Sequence, residues 1–231
     1  MLKYQMPLTP KETDFDENGA VRPSSILHFF QDIAKTHAEV AGFGFGNMIA
    51  QNLIWVVTKL KYKIYRPITK DGDYTIVTYP KPKKSITYSR DYYIYDSADH
   101  LVAAGMSQWC VINFKTRKIE RWAMDYEGEF YDKEPFDEGF ERIRIPELIK
   151  RDSYKIVETD LDANQHTNNC RYADMVAMAV AGSDAKQLQI QFSKETRLGD
   201  EIILFSGENE NGDIVVGKLA DDSVIFTASI Q

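Results

Sequence analysis

With only two cysteines in 231 residues, the chain has no disulfide framework. Cys110 lies in a strand-like run and Cys170 at a helix start, so they do not form a metal-ligand cluster either. Four scattered histidines supply no metal-binding spacing, and no metal is expected. No apolar run reaches the roughly 18 residues a membrane helix needs. The opening Met1-Leu2-Lys3-Tyr4-Gln5 has neither the apolar core of a secretory signal nor the Arg/Ser-rich character of a transit peptide. The expected setting is therefore cytoplasmic, without a membrane partner. Basic excess is missing too: the formal net charge is −7. Phosphate backbones need a concentrated basic footprint, so no nucleic-acid partner is expected.

Apolar material is plentiful. A hydrophobic content of 43% with 12% aromatics can build a substantial core, as one large or two small domains. Local cationic clusters survive the acidic balance. Lys81-Pro82-Lys83-Lys84 is compact, and Arg142, Arg144, Lys150 and Arg151 form a looser group; each also fits a solvated turn or linker face.

Polar chemistry concentrates in Asp160-Leu161-Asp162-Ala163-Asn164-Gln165-His166-Thr167-Asn168-Asn169. Asp162, Asn164 and His166 recur at spacing two, so an extended stretch would carry them on one side. Asn168 or Asn169 is a fitting N-cap for an apolar segment from Arg171 to Ala181, whose N-terminus would offer free N–H groups and a positive dipole end to an oxyanion. The bland alternative is a turn in which Asp and Asn bond their own backbone and the His serves a cap.

The motif has a degenerate copy. Asp14-Phe15-Asp16-Glu17-Asn18-Gly19-Ala20-Val21 aligns without gaps on Asp160 to Thr167, with Ala20 in place of His166. Thr69-Lys70-Asp71-Gly72-Asp73 pairs likewise with Thr196-Arg197-Leu198-Gly199-Asp200. The chain therefore reads as two copies of one unit, of which only the second carries the imidazole.

Helical periodicity runs through about residues 24–41 and closes at Gly42-Phe43-Gly44-Phe45-Gly46. Strand-like runs follow near 53–65, 73–80, 85–96 and 101–114. An acidic, irregular stretch over 123–150 contains the expected linker, 126–150, between a first unit at 1–125 and a second at 151–231. The second unit repeats the order: a strand near 153–159, the motif, a helix, then strands near 187–194, 200–206, 212–219 and 223–230. Helix first and antiparallel meander after implies an α+β fold.

These residues resemble the acyl-acyl carrier protein thioesterases. The similarity covers essentially the whole chain: the first helix with Trp55-Val56-Val57 after it, the Arg66-Pro67 and Gly72-Asp73 punctuation, and above all Asp162 to Asn169, close to the family's Asp-x-Asn-x-His-x-Asn-Asn signature. The resemblance implies two tandem hotdog units, each an antiparallel sheet wrapped around a long central helix. It also implies hydrolysis of fatty acyl-carrier thioesters without a cofactor, with acyl carrier protein as the partner. A homodimer is compatible with it.

Carried over residue by residue, the resemblance makes Asp162, Asn164, His166 and Glu195 the candidate catalytic groups. Plant members have a Cys directly after that acid; here it is Thr196, so an activated water or a carboxylate must attack. Asn164 and a backbone N–H at the helix start would hold the oxyanion. Glu195, or Asp162 if Glu195 points away, would act on water, and His166 would orient the water or protonate the leaving thiol. Leu188, Ile190 and Phe192 alternate as an apolar face, which puts Glu195 on the other side unless the strand bends. Cys170 is expected to pack rather than attack. The first unit, with Ile68 where the second has Glu195, is expected to be silent and to shape the acyl pocket through Ile33 and Ala34, while Lys81, Lys83 and Lys84 would steer the carrier. Two alternatives stand beside this reading, an acyl-CoA enzyme and a non-catalytic acyl-binding hotdog protein.

Overall fold

The structure is a computed structural model that describes residues 2–70, 72–123, 130, 139–162, 164–180, 186–210 and 212–231. Positions 126–129 and 131–138 of the expected linker, and position 181 at the end of the expected second helix, lie outside the described residues.

Helix α1 (Pro23–Val40) follows from apolar groups three and four apart: Ile26, Leu27, Phe30, Ile33 and Ala34 are all buried. Pro23 sits in the first turn, where no intrahelical N–H is lost. The helix ends in a Schellman arrangement. Gly42, at φ +82°, donates to Glu39 O at 3.2 Å, and Phe43 donates to Ala38 O at 2.8 Å. A one-and-a-half-turn helix, α2 (Phe45–Ala50), follows within the glycine-rich stretch that the sequence marked only as a helix end.

The strands in chain order are β1 (Tyr4–Leu8), β2 (Leu53–Ile64), β3 (Tyr74–Pro80), β4 (Tyr88–Asp96), β5 (Leu101–Asn113), β6 (Ile149–Lys155), β7 (Gln187–Phe192), β8 (Glu201–Asn209), β9 (Gly212–Lys218) and β10 (Val224–Ile230). They form one antiparallel sheet in the order β1-β3-β4-β5-β2-β7-β10-β9-β8-β6. That order is its own mirror image: β1 to β5 and β6 to β10 occupy corresponding places about the β2–β7 seam, so the fold is α+β with two hotdog units joined edge to edge. Strand β1 has no sequence expectation. It is short, contains Pro7, and lies at the sheet edge, where a missing N–H is tolerated.

At the seam Leu60 faces Ile190 and Tyr62 faces Leu188 on the core side, while Lys59, Lys61 and Lys63 face Gln191, Gln189 and Gln187 on the other. The outer face is strapped from within the expected linker, by Glu141. Lys61 Nζ pairs with Glu141 at 2.6 Å, and the Gln189 carboxamide bonds the Glu141 backbone at 2.8 and 2.9 Å.

Helix α3 (Arg171–Ala179) lies against α1, and both pack on the same core as the inner sheet face. Gly105 on β5 lets α1 approach: an added Cβ there would stand 2.0 Å from the Phe30 ring. Several strand boundaries differ from the sequence reading: β4 starts at Tyr88 rather than near 85, and β8 runs on to Asn209 rather than ending near 206. The expected 153–159 strand is displaced to Ile149–Lys155, because Glu158–Asp160 instead forms a 3₁₀ turn. The expected 187–194 strand stops at Phe192.

Candidate active site

The motif loop is built by two aspartates, and it is built twice. Asp160 is fully buried and accepts from Arg171 Nε at 2.9 Å, from Val157 N–H at 3.0 Å and from the Tyr154 hydroxyl. Asp162 Oδ1 accepts the N–H groups of Asn164 at 2.8 Å and His166 at 3.2 Å. In the first copy Asp16 Oδ1 accepts the N–H groups of Asn18 and Ala20, each at 2.9 Å. The backbone closes both loops the same way, Asp16 to Ala20 O and Asp162 to His166 O at 2.8 Å. The turn that the bland reading described is therefore real, and it is the scaffold on which the second copy mounts its carboxamide and imidazole. Gln165 sits at φ +63° where the first copy has Gly19 at +78°, so the second copy carries a side chain in a left-handed position.

The N-cap of helix α3 is Cys170, one residue after Asn169 and two after Asn168, and Asn168 Oδ1 accepts its N–H at 3.0 Å. Arg171 N–H bonds Asn168 O at 2.9 Å. The Cys170 and Arg171 N–H groups are thus already engaged within the loop. The Asn164 side chain, exposed on the loop, is the donor left in place.

Glu195 does reach His166. Strand β7 has ended, and the Ser193 and Lys194 N–H groups both point at Ile225 O, at 2.8 and 3.3 Å, so the chain bends and the alternation of the strand no longer governs the acid. Glu195 Oε2 lies 3.5 Å from His166 Nε2 and 2.6 Å from the Arg117 guanidinium. Arg197 reaches His166 Nε2 at 3.3 Å. Arg117 comes from the turn after β5, in the first unit, so the second unit's acid is held by a residue of the first. No motif marks Arg117 in the sequence; the contact spans 78 positions.

A cavity of about 680 Å³ opens beside this loop, a size typical of small-molecule sites. One wall is the α1 stripe His28, Gln31, Asp32, Lys35, Ala38 and Glu39, and Asp162, Asn164 and Asn168 border it from the motif loop. Cys170 Sγ donates to Gln31 Oε1 at 3.3 Å, which places the loop beside the middle of α1. Beyond the C-terminal end of α1 the lining turns aromatic, with Phe43, Trp55, Tyr88 and Trp109 around Met48. Trp55 stands edge-on to Tyr88 and its Nε1 donates to Phe43 O at 3.1 Å, so this end is a packed wall. Burial lowers the His28 pKa, which keeps the imidazole on this wall neutral to lower pH than usual.

Ala34 lines the cavity as expected for a pocket residue, but Ile33 does not: it is fully buried in the core, on the sheet side of the helix. Lys81 is also corrected. It is 7% exposed and pairs with the buried Asp91 at 3.3 Å, so it offers no surface charge. Lys83 donates to Trp122 O at 2.5 Å and lies over Tyr88, while Lys84 is exposed. Ile68, opposite Glu195 in the alignment of the copies, is a core residue. Cys170 is buried and its thiol pKa is pushed up strongly by desolvation, the opposite of what a nucleophile needs. Thr196 is fully buried, with its hydroxyl bonded to Tyr172 at 2.9 Å and Thr167 at 2.7 Å.

Two helix-on-sheet units in mirrored order, with a loop whose Asp162 and Asn164 border the cavity while its His166 and the nearby Glu195 stand outside the lining, define a tandem hotdog protein. The chain belongs to the acyl-ACP thioesterase family: the family's N-terminal domain model matches residues 2–130 and its C-terminal domain model residues 146–224. A chloroplastic acyl-(acyl-carrier-protein) hydrolase of Cuphea viscosissima is 30% identical over 176 residues, 68% of this chain and 42% of its own length. A chloroplastic palmitoyl-acyl carrier protein thioesterase of Cuphea hookeriana matches to the same extent. The chain thus spans under half the length of these two relatives. Among solved structures, an acyl-ACP thioesterase from Bacteroides thetaiotaomicron superposes with a TM-score of 0.88 at 19% identity, over 99% of this chain and 96% of that one. The 12:0-ACP thioesterase of Umbellularia californica gives 0.84 at 16%, over 100% and 97%. At these identities the likeness is one of fold.

Proposed function

We propose that the chain hydrolyses fatty acyl thioesters of acyl carrier protein to free fatty acid and carrier thiol. The observation that carries this reading is the juxtaposition of the His166–Glu195 pair with a loop whose Asp162 and Asn164 border the 680 Å³ cavity. The acyl chain lies along α1 toward the aromatic wall, and the thioester stays at the motif loop.

A thioester is already activated, so the site has to position water and hold charge. Water adds its oxygen to the carbonyl carbon while its proton passes to Glu195. The Asn164 carboxamide, carried on a backbone that Asp162 holds through the Asn164 N–H, donates to the oxyanion. As the C–S bond breaks, the proton moves from Glu195 through His166, 3.5 Å away, to the departing sulfur. Asp162 is then a framework residue, since one of its oxygens already takes two backbone N–H groups. The first copy has the frame without the imidazole and serves as the pocket wall. The test is release of thiol from a ladder of acyl-carrier and acyl-CoA thioesters; a folded protein that cleaves none of them refutes the reading.

A further inference from the structure

Charge is unevenly spread in this acidic chain. From Asn113 to Arg121 stand four cations, Lys115, Arg117, Lys118 and Arg121, against one acid, Glu120, and all four cations are exposed. They sit on a fixed frame. Asn113 Oδ1 accepts the N–H groups of Lys115 and Thr116 at 3.0 and 3.1 Å, Arg117 N–H bonds Asn113 O at 2.8 Å, and Ile119 bridges back to Ile112. At one end of this strip Arg117 holds Glu195. At the other, Trp122 O accepts from Lys83 Nζ and the Tyr88 hydroxyl, which brings Arg121 next to the turn that carries the exposed Lys84. At about 3.3 Å per extended residue, Arg121 stands roughly 13 Å from Arg117. Ile119, 53% exposed, adds an apolar contact between them.

We propose that this strip, Lys84, Lys115, Lys118 and Arg121, is the docking surface for the acyl carrier protein. The proposal rests on the hydrolase reading above. Carrier proteins are acidic and present their acyl group on a flexible arm, so the complementary surface has to be basic, rigid and set back from the thioester, with a path to the site. This strip meets each condition, and it does so in a chain whose net charge of −7 would otherwise repel the partner. The Lys81–Lys84 turn contributes only its outer edge, because Lys81 is neutralised inside by Asp91.

The test is the full-length Lys84→Glu/Lys118→Glu/Arg121→Glu variant, checked for an unchanged melting curve and assayed with an acyl-carrier thioester and with the same acyl group on N-acetylcysteamine, which has no charge to steer. The expected result is a KM for the carrier substrate raised about tenfold or more, less sensitive to salt than the wild type, with the N-acetylcysteamine ester altered less than about twofold. If the triple variant melts early, Lys118→Glu alone is expected to raise the carrier KM about threefold, a rim charge's effect on encounter. An unchanged carrier KM in a folded variant, or equal losses on both esters, overturns the docking surface and leaves the hydrolase reading standing. Wild-type protein inactive on both esters overturns that reading, and this proposal with it.

Discussion

Asp16 and Asp162 make the same pair of bonds 146 positions apart in aligned loops: each Oδ1 accepts the N–H two and four residues ahead, at 2.9 and 2.9 Å in the first copy and 2.8 and 3.2 Å in the second. The shared job is structural, and the difference in consequence lies in what the loop carries. Asp16→Ala should lower stability by about 1 kcal/mol, the worth of ordinary hydrogen bonds, with little change in turnover. Asp162→Ala frees Asn164 and His166 and should cut turnover by roughly 10²-fold or more. Melting curves and steady-state rates of the two variants check this. A folded Asp16→Ala as inactive as Asp162→Ala would show that both loops act in catalysis.

Gln165 holds a left-handed backbone at φ +63°, in the position that glycine fills in the first copy. Gln165→Gly should therefore stabilise the protein by about 0.5–1 kcal/mol, relief of strain exceeding the extra entropy of the unfolded chain. Thermal unfolding measures it. Destabilisation would mean that the Gln165 side chain makes a contact that offsets the strain.

Neither hydroxyl nor thiol near the site is placed to attack. Cys170→Ser and Thr196→Ala should each keep most of the turnover, and Thr196→Ala should cost about 1–3 kcal/mol of stability, since it removes the Thr196 hydroxyl from the buried Tyr172 hydroxyl while Thr167 keeps the Thr196 carbonyl. Mass spectrometry of acid-quenched reactions should find no acyl group on either residue; an acyl adduct on one of them contradicts the water mechanism.

Arg117 reaches the candidate acid from the first unit, bonding Glu195 at 2.6 Å. Arg117→Gln should lower kcat roughly ten- to hundredfold by letting Glu195 drift from His166, with little change in KM for an N-acetylcysteamine thioester and partial recovery in Arg117→Lys. A kcat equal to that of the wild type would make the contact an ordinary surface ion pair.

How much of this the sequence discloses depends on range. The loop, its copy and α1 are local patterns, fixed by side chains that bond within a few residues or recur at helical spacing, and they read directly from the chain. Ile33 and Ala34 show the limit: periodicity puts both on the inner arc of α1, yet only the packed sheet decides that Ala34 borders the cavity and Ile33 fills the core. Lys81 makes the same point, since its partner Asp91 is ten residues on and across a strand pair. Strand alternation argued against Glu195 because the bend at Ile225 O involves a strand paired from far along the sequence. Arg117 lay beyond reach altogether.

Hydrolysis at the second copy's loop has a direct readout in thiol release. The direct measurement is the rate of thiol release from an acyl-carrier thioester by the wild type, Asn164→Ala and His166→Ala at matched folded concentration. Turnover by the wild type is expected, with a loss of roughly 10²- to 10⁴-fold in each variant, the range for removing an oxyanion donor or a positioned acid–base group, and with melting temperatures close to that of the wild type. Near-normal turnover in both folded variants would contradict it.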